Sequence, residues 1–148
     1  MNINGLDQAK NRQLPFNGNQ DNVQRKDTNM PQVVIHISKT PDEGAKSALV
    51  KEIREAISKV LQLDINIGQV ILYESPLAHR KTHDKRDPHF VFVETFMYPG
   101  RDPALKNELM ERFIMLINRY TNVDPKNIHA IIHEIPEVNY FGGIMKRH

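Results

Sequence analysis

The chain has 148 residues, 39% of them hydrophobic and 26% charged, with a formal net charge of +2. That length suffices for one domain with a single core, and no apolar run approaches the roughly 20 residues that a membrane-spanning helix needs, so no membrane partner is expected. The absence of cysteine excludes disulfides and thiolate chemistry and removes the best zinc ligands, which fits a cytoplasmic location; so small a charge gives no reason to expect a nucleic-acid partner.

Residues 1–29 hold seven Asn and four Gln among scattered apolar residues of no clear period. Little there offsets the entropy of ordering, and the segment has no apolar core of a secretory signal. It reads as a flexible polar extension, or as sequence ahead of a true start at Met30. Residues 30–148 then form the domain. Val33–Ile37 is a short β-branched run. The stretch Pro41–Lys46, with two acids, suits the first turn of a helix. Ala45, Leu49, Ile53, Ile57 and Val60 or Leu61 continue it at three- and four-residue spacing, which gives one apolar face. Gln69–Tyr73 is a second strand, followed by Glu74-Ser75-Pro76.

The pattern then repeats. His89–Glu94 is expected to be a strand, and Tyr98–Ala104 a turn into a helix. Leu105, Leu109, Phe113, Leu116 or Ile117, and Tyr120 line that helix, and His129–Glu134 closes the unit. A shift of sixty residues lays Lys46 on Lys106, Leu49 on Leu109, Ile57 on Ile117, Asp64 on Asp124, Glu74 on Glu134 and Pro76 on Pro136. The units, about 31–76 and 89–136, are each β-α-β, with a C-terminal segment at 139–148. A crossover helix brings its two strands into one sheet in parallel, in the right-handed sense. The fold class is therefore α/β (α+β), a four-stranded sheet with two helices on one face. The strands carry too many apolar residues for the other face to stay wet, which argues for burial against copies of the same chain in a closed oligomer.

Phosphate-loop, zinc-protease and nucleophile-elbow motifs are absent, so no cofactor or metal is expected. His79–His89 holds four Arg or Lys, two Asp and three His without metal-ligand spacing; it reads as a mobile solvated linker, or as a loop lining an anion pocket. Arg101 sits between a strand and a helix start, where free backbone N–H groups and the helix dipole favour anions. It either holds a carboxylate in a two-pronged contact or pairs with Asp102 and faces solvent. Tyr140 and Phe141 supply aromatic surface, as interface packing or as walls of an apolar pocket, before a Gly142-Gly143 turn.

Paired β-α-β units, Met30-Pro31, Gly100-Arg101 and the terminal Asn139-Tyr-Phe-Gly-Gly143 together resemble the tautomerase superfamily, with its MIF-like fold. The resemblance covers Met30 to about Gly143. Its format is that of the long, two-unit members, which include isomer-specific 3-chloroacrylic acid dehalogenases and malonate semialdehyde decarboxylase. The resemblance implies that Pro31 is the amino-terminal proline acting as general base or acid. It implies that Arg101 binds or polarises a substrate carboxylate, and that Tyr140 or Phe141 closes an apolar pocket. It also implies a homotrimer with sites between subunits, which would cover the open sheet face. The sequence departs from the family at Gln69 and His129, where short members carry an arginine. It departs again at Ile57 and Tyr98, where the cis-type dehalogenase carries a histidine and a second arginine; Tyr98 can donate a hydrogen bond to substrate instead. The implied activity is therefore tautomerisation or isomerisation of a small carboxylate-bearing enol or keto acid, without a cofactor. The alternative is a non-catalytic trimeric binding or structural protein, with Pro31 locked as a tertiary amide by the residues before it.

Overall fold

The structure, a computed structural model, describes residues 31–38 and 41–142; the expected extension 1–29, Met30 and the end of the chain from Gly143 lie outside the described residues. Strand β1 (Gln32–Ile37) leads to helix α1 (Glu43–Leu61) and strand β2 (Gln69–Glu74). Strand β3 (Val91–Met97), helix α2 (Pro103–Thr121) and strand β4 (Ile128–Glu134) repeat the order. The sheet runs β2-β1-β3-β4. Within each unit the strands are parallel, as the crossover helix requires. The units join through an antiparallel β1–β3 pair in the centre, with Gln32 opposite Phe96 and His36 opposite Phe92.

Strand alternation divides the sheet into two faces. Val33, Ile35, Ile37, Val91, Val93 and Met97 point to the helices and are buried. They meet Leu49, Ile53 and Ile57 of α1 and Leu109, Phe113 and Ile117 of α2, residues that share one stripe of each helix. Each such side chain contributes about 2 kcal/mol through removal from water. No helix among the described residues is long and apolar enough to cross a membrane.

The duplication reaches the capping chemistry. Asp42 accepts a hydrogen bond from Ala45 N (2.8 Å) at the start of α1, and Asp102 accepts one from Ala104 N (2.8 Å) at the start of α2. Both helices end on a left-handed residue, Gln62 at φ 54° and Asn122 at φ 59°. Lys46 pairs with Glu74 at 2.6 Å, and Lys106 pairs with Glu134 in the same position of the second unit.

Two expectations need correction. Pro41 precedes the Asp42 cap instead of entering the first turn; in α2 the proline comes after the cap, as Pro103. The third strand begins at Val91, not His89, and extends to Met97. The cause lies in the loop before it. Asp87 caps the His89 N–H (2.9 Å), and the Arg80 guanidinium holds the carbonyls of Pro88 and Phe90 and stacks 4.4 Å from the Phe90 ring. The chain there is thus engaged with Arg80 before it can join the ladder. Residues 79–89 are mostly exposed, as expected of a solvated loop, and these contacts anchor the loop near both ends. Arg80 also donates from Nε to Ser75 Oγ (2.8 Å), and His89 Nδ1 meets Ser38 Oγ at 2.7 Å.

Candidate functional site

One end of the sheet collects the residues singled out in the sequence. Because β1 and β2 start where β3 and β4 finish, Pro31, Gly68, Tyr98 and Ile135 all lie at this end. The buried Pro31 continues the β1–β2 ladder, its carbonyl accepting from Gln69 N at 3.2 Å. Beyond β3 and β4, Ile135 N donates to Met97 O at 2.8 Å and extends that ladder by one bond. Pro136 then turns the chain through a short 3-10 helix, Glu137–Asn139, which delivers Tyr140 back to the sheet.

These elements enclose a cavity of about 130 Å³ lined by Gln32, Phe96, Met97, Tyr98, Ile135 and Tyr140. The rings of Tyr98 and Tyr140 meet edge to face, 5.8 Å apart at 78°, a favourable geometry for aromatic quadrupoles. Gln32 Nε2 donates to Tyr140 Oη at 3.3 Å and to Gln69 Oε1 at 3.4 Å. A wider cleft, about 360 Å³, opens between α1 and the start of β2, lined by Val50, Arg54, Asn66, Gly68, Gln69 and Val70. Its Arg54 is tied to Asn66 O at 2.8 Å, and none of the candidate residues reaches it.

Arg101 follows Gly100 in the turn from Tyr98 to α2. Gly100 stands at φ +105°, and a Cβ added there would have nothing within 4 Å, so backbone conformation, not space, asks for glycine. Arg101 is half-buried, and its Nε is sequestered without a hydrogen-bond partner among the described residues. Burial pushes its pKa down from the ordinary arginine value, although a guanidinium stays charged throughout the physiological range. Asp102 is spent on the helix cap. A desolvated cation with an unused donor, at a helix start, is suited to receiving an anion.

The structure thus brings Tyr98 and Tyr140 into one cavity and puts Arg101 three residues beyond Tyr98. Neither Pro31 nor Arg101 is among the cavity-lining residues, and Phe141 is 70% exposed. The other four lining residues, Gln32, Phe96, Met97 and Ile135, are not marked as site residues by the sequence. Gln32 carries the one signal that was there to be read, a polar side chain opening a β-branched run.

On the open sheet face, Glu94 receives hydrogen bonds from His36 Nε2 (3.0 Å) and His133 Nε2 (3.1 Å). The His133 bond, then the His36 bond, hold the Glu94 carboxyl below its ordinary pKa, while burial acts the other way. Tyr73 stacks on His36, and Phe96 stacks on His133 at 4.7 Å.

No family model matches the sequence. A probable tautomerase of Streptococcus agalactiae serotype III is 32% identical over 50 residues, which are 34% of this chain and 83% of that protein. That relative is therefore only about 60 residues long, the size of one unit here. Among solved structures, a fused 4-OT symmetric trimer superposes with a TM-score of 0.71 at 19% identity, covering 76% of this chain and 92% of that one. A malonate semialdehyde decarboxylase inhibited by 3-bromopropiolate gives 0.65 at 16% identity, over 78% and 91% of the two chains. A macrophage migration inhibitory factor-like protein of Entamoeba histolytica gives 0.65 at 17%, over 76% and 94%. At such identities these structures speak for the fold, and the bacterial relative speaks for the family. With two β-α-β units on one chain, a fold shared with fused 4-OT, and a relative that matches over most of its own length, the protein belongs to the tautomerase superfamily and is of its long, two-unit type.

Proposed function

We propose that the protein is a cofactor-independent tautomerase that moves a proton on a small enol or keto acid. What supports this reading is that the buried Pro31 and the Tyr98–Tyr140 cavity lie at the same end of the sheet, with Arg101 in the turn that follows Tyr98 and its Nε without a partner among the described residues. Family membership supports the same class of activity.

In this reading Pro31 acts through its nitrogen, which is free only when processing removes Met30 and everything before it. A terminal amine titrates near 8, and burial favours its neutral form. At pH 7 such a group is a usable base and, once protonated, a usable acid. It takes the proton from the enol oxygen or the carbon beside the carbonyl and returns it to the other end of the system. Arg101 binds the substrate carboxylate and, from that distance, helps to steady the enolate charge. The two tyrosine rings wall the cavity and keep water from the reacting carbon.

The open sheet face, with Ile71, Tyr73, Phe92 and Ile131 exposed by 40–54%, is covered in this proposal by two further copies of the chain. The trimeric state of the fused 4-OT supports that assembly. Mass spectrometry of the natively expressed protein tests the base directly. A chain beginning at Pro31 should ketonise phenylenolpyruvate, and Pro31→Ala should lower kcat by about 100-fold or more. A native chain that begins at Met1 would instead favour the non-catalytic trimer, in which Pro31 is an amide with no titratable nitrogen.

A further inference from the structure

Gln32 directly follows Pro31, and it is the amide in a strand otherwise built of Val, Ile and His. Alternation with the buried Val33 sets its side chain on the open face, in register with Gln69 on one side and Phe96 on the other. Its Nε2 donates to Tyr140 Oη at 3.3 Å and to Gln69 Oε1 at 3.4 Å. Both bonds are long beside the roughly 2.9 Å of a well-made N–H···O contact. Little is therefore lost when one of them is exchanged for a stronger acceptor, and an enolate oxygen is a stronger acceptor than either a phenol or a neutral amide. The same side chain lines the cavity together with Phe96 and the tyrosine pair. It has no proton to lose at any ordinary pH, so it stays a donor wherever a tyrosine or histidine would titrate.

We infer that the Gln32 carboxamide is the donor that polarises the substrate's carbonyl or enol oxygen. The inference rests on the tautomerase reading and extends it to the group that receives the developing charge. In ketonisation one proton leaves the enol oxygen and one joins the neighbouring carbon, with negative charge on the oxygen between the two transfers. Pro31 handles the proton and Arg101 the distant carboxylate, which leaves the reacting oxygen to be met. Gln32 meets it from the residue beside the base, and the apolar Phe96 opposite it makes a neutral donor count for more than it does in water.

Steady-state kinetics of the natively expressed protein with phenylenolpyruvate test this. Gln32→Met keeps side-chain length and removes the donor, and Gln32→Leu provides a second apolar variant should the first fail to fold. With circular dichroism and assembly mass as in the wild type, kcat should fall by about 10- to 100-fold while KM changes by less than about threefold. The same loss should appear in a Tyr140→Phe background. A kcat within about twofold of wild type in a folded variant overturns the inference. So does disappearance of the loss when Tyr140 is already Phe, because Gln32 would then act only by placing that hydroxyl. A wild-type protein with no activity overturns the tautomerase reading and this inference together. Activity abolished by Pro31→Ala but untouched by Gln32→Met overturns the inference alone.

Discussion

Arg101 gains its setting from the glycine before it. At φ +105° Gly100 holds a backbone shape that costs an L-residue about 1–2 kcal/mol, and the turn it makes carries the chain from buried Tyr98 to the half-buried guanidinium. Gly100→Ala meets no steric neighbour, so its whole effect should come from backbone strain. Thermal denaturation should show a loss of about 1 kcal/mol or more, and kcat/KM should drop as the arginine shifts. Arg101→Ala should act on binding itself. Loss of a charge-assisted contact with a carboxylate is worth about 1.5–3 kcal/mol, so KM for an enol acid should rise by about 10- to 100-fold, while a matching uncharged enol is little affected. Equal effects on both substrates would remove the carboxylate from the proposal. The place of Arg101 between strand and helix was legible because Gly100 and Pro103 mark the turn on either side of it. Gln32 was not, because a lone amide at a strand start has an ordinary meaning, solvation of an edge. Its place in a cavity depends on a segment, Glu137–Tyr140, that folds back from over a hundred residues away.

Elements repeat at the level of single hydrogen bonds, and that sets what their variants should do. Asp42 and Asp102 each satisfy one otherwise unpaired N–H at a helix start. Replacing either with alanine should cost about 1 kcal/mol. The two helices share no partner at these caps, so the double variant should lose close to the sum in urea denaturation. The C-termini are less equal. Gln62 and Asn122 both sit left-handed, but asparagine tolerates that region better than glutamine. Gln62→Gly should therefore raise the unfolding midpoint, and Asn122→Gly should move it less. Most of this level was readable in advance, since a sixty-residue register held through helix and strand leaves few alternatives. The start of β3 was not, because His89 and Phe90 have strand-like character and nothing local marks Arg80 as the group that captures their backbone.

For the whole molecule the decisive feature is a sheet with one finished face and one unfinished face. Ile71, Tyr73, Phe92 and Ile131 surround a polar row in which His36 from β1 and His133 from β4 both donate to Glu94 of β3. Burial of that row in a trimer requires Glu94 to stay paired, because an unpaired charge in an interface is strongly unfavourable. In sedimentation at neutral pH the proposed assembly should have about three times the mass that the native single chain shows by mass spectrometry, and Phe92→Glu should reduce it to single chains. Acid should act through Glu94. Its folded pKa lies below the ordinary 4.5, through the histidine bonds, so its contribution to stability is complete above that value and is lost as pH falls through the lowered pKa. Protonation removes the carboxylate that accepts from both histidines, whose rings have Tyr73 and Phe96 stacked on them. Glu94→Gln mimics that protonated acid in shape and charge. The variant should be less stable than wild type at pH 7, its unfolding midpoint should lack the wild-type fall below about pH 4.5, and the two proteins should converge at the acid end. Parallel curves at all pH values would show that the row contributes nothing through Glu94, and that the apolar residues alone govern the face.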